Sequence, residues 1–329
     1  LTKRTKNILN YIVGPALFIW LSWAIYKQLK TQTDLKASWE VILSALNGSQ
    51  SWKIGFVIFL TFFNCGIDAR KWQLQVRSIE LLSFVQAFKA VLAGHAMGFS
   101  TINRIGEPAA RAAYLKEGNR IRGVVLSIPG SMSQTIVYFI MGTISLFYMR
   151  WYILNPERQL EGLSVFWLDG FIYVIGMGIL LFTLAYFKLN GLIQLFAKIP
   201  WIAQYHFFLE KLASIELNDL LRLLSLSLVR YLVILFQYYL IMQVFNVNLL
   251  LLDAFVLVGV MLIVLAVIPS MALAELGFRG KVSLLLFGLL SENSVGIIAS
   301  AAGIWLINLI LPAILGTLFI LGLRIFRNK

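Results

Sequence analysis

Acidic charge is scarce in this chain, and the residue types that assemble most soluble chemistry are scarcer still. Its 329 residues include 15 Asp and Glu, two His and one Cys. A lone cysteine, Cys65, excludes an intrachain disulfide and, within an apolar run, reads as a packing residue. His95 and His206 stand far apart with no cysteine beside them, so the sequence holds no Cys/His zinc pattern. Walker, Rossmann, GxSxG and HExxH patterns are absent, so no catalytic residue, cofactor or metal ligand is expected. Charged residues make up 13% of the chain, against about a quarter in a soluble domain.

What the chain has in abundance is hydrocarbon: 60% of residues are hydrophobic and the mean hydropathy is +0.83. Several apolar runs reach the ~20 residues that cross a bilayer core. The expected fold is an all-α polytopic membrane protein, one integral membrane domain over 1–329 with about six spanning helices. The spans are expected near 8–26, 54–69, 124–148, 165–187, 222–245 and 295–323. The first, with a basic start, a long apolar run and no small-residue cleavage site, reads as a retained helix rather than a removed signal. The net charge of +13 is scattered between apolar runs. It fits topology and headgroup contact rather than nucleic acid.

Two further apolar segments are short for a span and end in charged, Gly/Pro-broken motifs. Residues 84–100 run into NRIGEPAAR, and 254–268 run into IPSMALAELGFRGK. Such interrupted helices read as re-entrant hairpins. One is expected at 84–120 in the first half (1–150), the other at 253–290 in the second half (151–329). With Lys3, Arg4 and Lys6 placed inside, the loop carrying Arg70, Lys71 and Arg77 returns inside, as do Lys188, Lys198, Lys211 and the tail with Arg324, Arg327 and Lys329. Arg150 and Arg158 fall outside, offset by Glu157 and Glu161, and both termini are cytoplasmic. The loop 27–53, with Lys27, Lys30, Lys36 and Lys53, breaks this rule; its ASWEVILSALN piece is expected to lie in the interface. The two hairpins then enter from opposite faces, as an inverted repeat would produce, with their tips meeting near the midplane.

Most acidic residues fall in predicted loops or ends, including Asp219. Asp68, Asp169 and Asp253 are expected near helix ends, within reach of headgroup water. Glu107 and Glu275 alone fall inside the broken hairpins, where an ionisable group costs at least ~2.5–3.5 kcal/mol and so marks function. Each has an arginine nearby: Arg104 or Arg111, and Arg279. A helix over 108–115 would put Pro108 in its first turn, Glu107 near its cap and Arg111 four residues on, able to fold back. That helix start could also hold an anionic headgroup with Arg104 or Arg111 as bidentate partner. The plainer alternative is that both Glu–Arg pairs are buried staples. His95, beside Gly94 and Gly98, reads as a packed or hydrogen-bonded helix residue.

RIGEPAARAAYL resembles the P-x-R-x-G-E-x-x-R core motif of the transmembrane, flippase-like domain of the lysylphosphatidylglycerol synthase family. Asn64 with Arg70-Lys71-Trp72 and Pro269…Ala274-Glu275-Leu276-Gly277-Phe278-Arg279 match further family positions in order and spacing. Thr101-Ile102 stands where the family often has a proline, and Ser270-Met271 replaces its glycines. The resemblance implies a multi-pass bacterial inner-membrane protein tied to lipid translocation. The soluble synthase domain is expected to be absent, so aminoacyl transfer does not carry over, and no enzyme is expected. The reading is a translocase for an anionic phospholipid or a lipid-linked phosphate, with Asn103, Arg104, Glu107, Arg111, Glu275, Arg279 and Lys281 lining its site. The alternatives are a non-transporting partner of a lipid-modifying enzyme, or a membrane-embedded enzyme acting on such a lipid. A membrane-protein partner or a homo-oligomer is also compatible with the sequence.

Overall fold

A computed structural model describes residues 48–101, 104–154, 165–188, 215–267 and 272–321, together with Ile19 and Trp23. The described residues are helical, without a strand. In chain order the helices are α1 (Ser51–Val76), α2 (Phe84–Phe99), α3 (Gly106–Ala112), α4 (Arg120–Leu126), α5 (Ile128–Tyr148), α6 (Val165–Phe187), α7 (Leu217–Val244), α8 (Leu251–Val267), α9 (Ala272–Phe287), α10 (Ser294–Trp305) and α11 (Leu311–Leu321). Single π-turns extend α5 (Met149–Ile153) and join α10 to α11 (Leu306–Ile310).

Among the described residues, four helical runs are long and apolar enough to cross a membrane: Ser51–Val76, Glu117–Ile153, Leu168–Phe187 and Ser294–Ile320. They coincide with the expected spans at 54–69, 124–148, 165–187 and 295–323, and the first two reach well beyond those limits. The expected span 222–245 lies in α7, 28 residues long. The span at 8–26 and the interfacial piece ASWEVILSALN lie outside the described residues but for Ile19 and Trp23, as do Glu157, Glu161, His206 and the basic tail.

The added length of α1 corrects two expectations. Arg70 and Lys71 are not in a loop, because the helix continues to Val76. Asp68 is not at a helix end but in its interior, 3% exposed. The physical reason is compensation: both buried charges find partners on other helices, so polar residues extend the helix rather than end it. Asp219, expected in a loop, lies in the first turn of α7, where Arg77 reaches it at 2.6 Å. Arg150 pairs across helices with Asp169 at 3.0 Å.

The first interrupted segment breaks where the sequence changes character. α2 opens with a capping box: the Ser83 hydroxyl accepts from the Gln86 N–H, and the Gln86 side chain accepts from the Ser83 N–H. Its far end stops at Ser100. There Thr101 donates its hydroxyl back to Met97 and Gly98 carbonyls and accepts from the Gly106 N–H at 3.0 Å. Arg104 turns the chain with φ 58, in the left-handed region that a non-glycine residue rarely adopts. α3 then begins at Gly106, with Pro108 in its first turn, where its missing N–H costs nothing. The second expected break lies outside the described residues: α8 is described to Val267 and α9 from Ala272, with Pro269 between them.

Around these breaks α2 packs against α11, α1 against α7, and α5 against both α7 and α8. Small residues set the closest approaches, as expected where packing rather than water drives helix association. A Cβ on Gly316 would run into the backbone carbonyl of Leu92, so α11 and α2 meet almost backbone to backbone. Gly176 in α6 has open space around it. Gly316→Ala is therefore expected to destabilise the protein by about 1–3 kcal/mol through overpacking. Gly176→Ala is expected to be neutral or stabilising by up to about 1 kcal/mol. Thermal unfolding of the two variants in detergent, side by side, checks the contrast.

Candidate functional site

The charged residues of α3 do not act alone. Arg111 is folded back onto Glu107, four residues earlier, and it donates as well to Oδ2 of Asp68 on α1. The other oxygen of Asp68 accepts from Arg230 on α7 at 2.7 Å, and Arg230 also donates to Asn64 at 2.8 Å. One carboxylate thus joins the tip helix, α1 and α7. Gly94 and Gly98, one turn apart on α2, make room for this arrangement. A Cβ on Gly94 would come within 3.0–3.1 Å of Arg111 and Glu107, and one on Gly98 within 3.3 Å of Arg104 and Glu107.

Arg104 has a different setting. It lies 3.3 Å from Glu107 and donates to Nδ1 of His95 at 2.6 Å. A guanidinium has only donors, so Nδ1 must accept, and the imidazole proton belongs on Nε2. His95 is a buried, hydrogen-bonded helix residue, as its sequence setting implies.

The second pair sits on α9. Arg279 donates to Glu275, four residues earlier, and to the hydroxyl of Tyr238 on α7. The place that Asp68 takes beside Arg111 is taken here by a neutral phenol. Since Tyr238 uses a lone pair on Arg279, its own proton remains available for another acceptor.

The two groups share a cavity of about 140 Å³. Arg104 reaches it from the first break, Glu275 and Arg279 from α9, Arg230, Ile234 and Tyr238 from α7, and Tyr138 from α5. Asn308, in the π-turn between α10 and α11, closes one side in a net with Thr61 and Gln237. Single π-turns of this kind often occur at functional sites. Glu107 and Arg111 do not line the cavity; they stand behind Arg104 in the wall.

The electrostatic balance is one-sided. Among the described residues, four guanidinium groups, of Arg104, Arg111, Arg230 and Arg279, face three carboxylates, of Asp68, Glu107 and Glu275. Donors are in excess too. Among the described residues, the buried Arg279 Nε and the Trp305 indole N–H, both on cavity-lining side chains, find no acceptor. Such groups are costly to bury unpaired, and the deficit here is of acceptors and negative charge.

Near the site Lys71 is buried as well, donating to the Gly130 carbonyl at 3.0 Å and to the Ser227 hydroxyl at 2.7 Å. Asp68, His95 and Glu107 could offer a metal one ligand atom each, all within 4.8 Å of one another. Those atoms already accept from Arg111, Arg230 and Arg104, which supply the positive charge a metal would bring.

No protein family and no curated protein matches this chain. Its site is therefore judged on its own geometry.

Of the seven residues singled out from sequence, Arg104, Glu275 and Arg279 meet at one cavity, and Glu107 and Arg111 lie directly behind it. Asn103 lies outside the described residues. Lys281 is on α9 but not in this cavity: it lines a separate apolar groove, because its position carries it round the helix from Arg279. The residues that sequence reading missed are Asp68, Arg230, Tyr238 and the Thr61–Gln237–Asn308 net. A signal existed for Arg230, the one charge in the long apolar run after Arg222. None existed for Tyr238, which reads as one aromatic among many.

Removing the shared carboxylate should be severe. Asp68→Ala leaves Arg230 with no carboxylate and Arg111 with Glu107 alone, and is expected to cost about 3–5 kcal/mol. Asp169→Asn breaks a half-exposed pair and is expected to cost less than about 1 kcal/mol. Thermal melts in detergent, with expression level as a second readout, distinguish the two.

Proposed function

We propose that this protein binds the phosphate of an anionic phospholipid or lipid-linked phosphate in the cavity between the two charged tips, and carries that headgroup across the membrane. The observation that supports this most is the surplus at the cavity: excess guanidinium charge together with buried N–H donors that have no acceptor. A phosphate oxygen supplies both missing quantities at once, and a guanidinium binds it bidentately. The acyl chains would remain in the bilayer while the headgroup moves. In this reading 84–120 and 253–290 are re-entrant hairpins entering from opposite faces as an inverted repeat. The protein sits in a bacterial inner membrane with cytoplasmic termini. The resemblance of RIGEPAARAAYL and AELGFR to the lysylphosphatidylglycerol synthase transmembrane domain favours the same reading.

The two tips take different roles. Arg111, held by Asp68 and Glu107, anchors the first tip and stays in place. Arg279, held by one carboxylate and one neutral phenol, is the arginine that exchanges partners, releasing Glu275 as it takes a phosphate oxygen. Arg230 and Arg104 complete the cradle, and Tyr238 donates its free proton to the same ligand. Glu275 compensates Arg279 when no ligand is bound.

Loss of one charge-assisted contact is worth about 1.5–3 kcal/mol, or about ten- to hundredfold in binding. Arg279→Ala in proteoliposomes is therefore expected to slow the transfer of fluorescent phosphatidylglycerol by about that factor, relative to the unsubstituted protein. Tyr238→Phe keeps the Glu275–Arg279 pair and is expected to lose only several-fold, about one neutral hydrogen bond. Unchanged transfer by an Arg279→Ala protein that melts at the usual temperature would exclude the reading. Transfer absent even from the unsubstituted protein would leave headgroup binding alone, to be read by displacement of the same lipid.

A further inference from the structure

A second cavity, of about 510 Å³, lies on another side of the α8–α9 pair. That volume is within the range of ordinary small-molecule sites, about 300–1,000 Å³. Its wall is hydrocarbon, built by Ile175 of α6, Ile263 and Val267 of α8, and Phe278, Val282 and Leu286 of α9. Among the described residues, Lys281 is the one charged side chain on it. Leu262, Glu275 and Arg279 of the same two helices line the headgroup cavity, so the α8–α9 pair separates a charged space from an apolar one.

Lys281 is exposed, and no carboxylate among the described residues pairs with it. An ammonium beside an apolar groove within a bilayer is costly unless it meets an anion or reaches the interface. The groove thus has two complementary features: a hydrocarbon trough of ligand size, and one cation at its edge.

We infer that this groove is a binding site for one acyl chain of an anionic phospholipid, whose phosphate pairs with Lys281. The chain lies along α6, α8 and α9, and the phosphate sits where the lysine stem can place its ammonium. The inference needs the groove to be in a membrane but does not need the protein to move lipid. A bound lipid here would brace the α8–α9 pair on the side away from Arg279.

The test uses the full chain reconstituted in nanodiscs of equal phosphatidylglycerol and phosphatidylcholine, re-extracted in mild detergent, with retained lipid counted by native mass spectrometry. One lysine near a headgroup corresponds to about a fivefold preference for the anionic lipid. The unsubstituted protein is expected to show that preference, and Lys281→Gln to bring it to about one while keeping a bound lipid. Val267 is already half exposed on the groove, so Val267→Trp fills the trough without crowding the core and is expected to lose the lipid whatever its headgroup. No preference in the unsubstituted protein, a preference surviving Lys281→Gln, or full retention by Val267→Trp would each overturn the site. So would a photo-crosslink from position 267 to residues 1–47 of the same chain, which would show the groove covered by protein. Each of these proteins, the otherwise unsubstituted one included, carries Arg279→Ala, which disables the headgroup cavity, so the lipid counted is that of the groove and failure of the two sites can be told apart.

Discussion

The arrangement rests on the carboxylate of Asp68. One oxygen takes Arg111 from the tip helix and the other takes Arg230 from α7. In surroundings of low polarity a buried guanidinium that loses its partner is far more expensive than one that keeps it. The relative placement of α1, α3 and α7 is therefore set by where one side chain can satisfy two cations. With Asp68 shared between two arginines and Glu107 between Arg111 and Arg104, the compensation falls one negative charge short. That shortfall is expressed at the cavity.

The two tips follow one local pattern and differ in one partner. Each has a glutamate followed four residues later by an arginine that folds back onto it. Behind the first arginine stands a carboxylate, and behind the second a phenol. A guanidinium between two carboxylates has little to gain from a new anion. A guanidinium with one carboxylate and a neutral acceptor has more. From near-identical motifs the two arginines receive different partners, and the residue packed beside each, Asp68 on α1 or Tyr238 on α7, makes the difference.

The four spans long and apolar enough to cross a membrane were legible because hydrocarbon runs of that length have few alternatives. The pairing within each tip was legible too, since four residues is one helical turn. The limits of α1 were not. Asp68, Arg70 and Lys71 look like a helix end when the sequence is read locally, because a charge in an apolar run is normally a sign of water. What cancels that sign is Arg111, Arg230, Gly130 and Ser227, all distant in sequence. Lys281 misled in the opposite direction. Two residues from Arg279 is near along the chain, but a helix turns about 200° over that interval, and the side chain lies on another wall.

By itself, then, the sequence determined the helical class, most of the apolar runs, the first interruption and the two i,i+4 pairs. All of these follow from periodicity and local sterics. The tertiary structure decided which charges share a carboxylate, which arginine is held by one carboxylate rather than two, and which cavity each residue enters. Those outcomes depend on distances between helices far apart in the chain, and no local pattern encodes them.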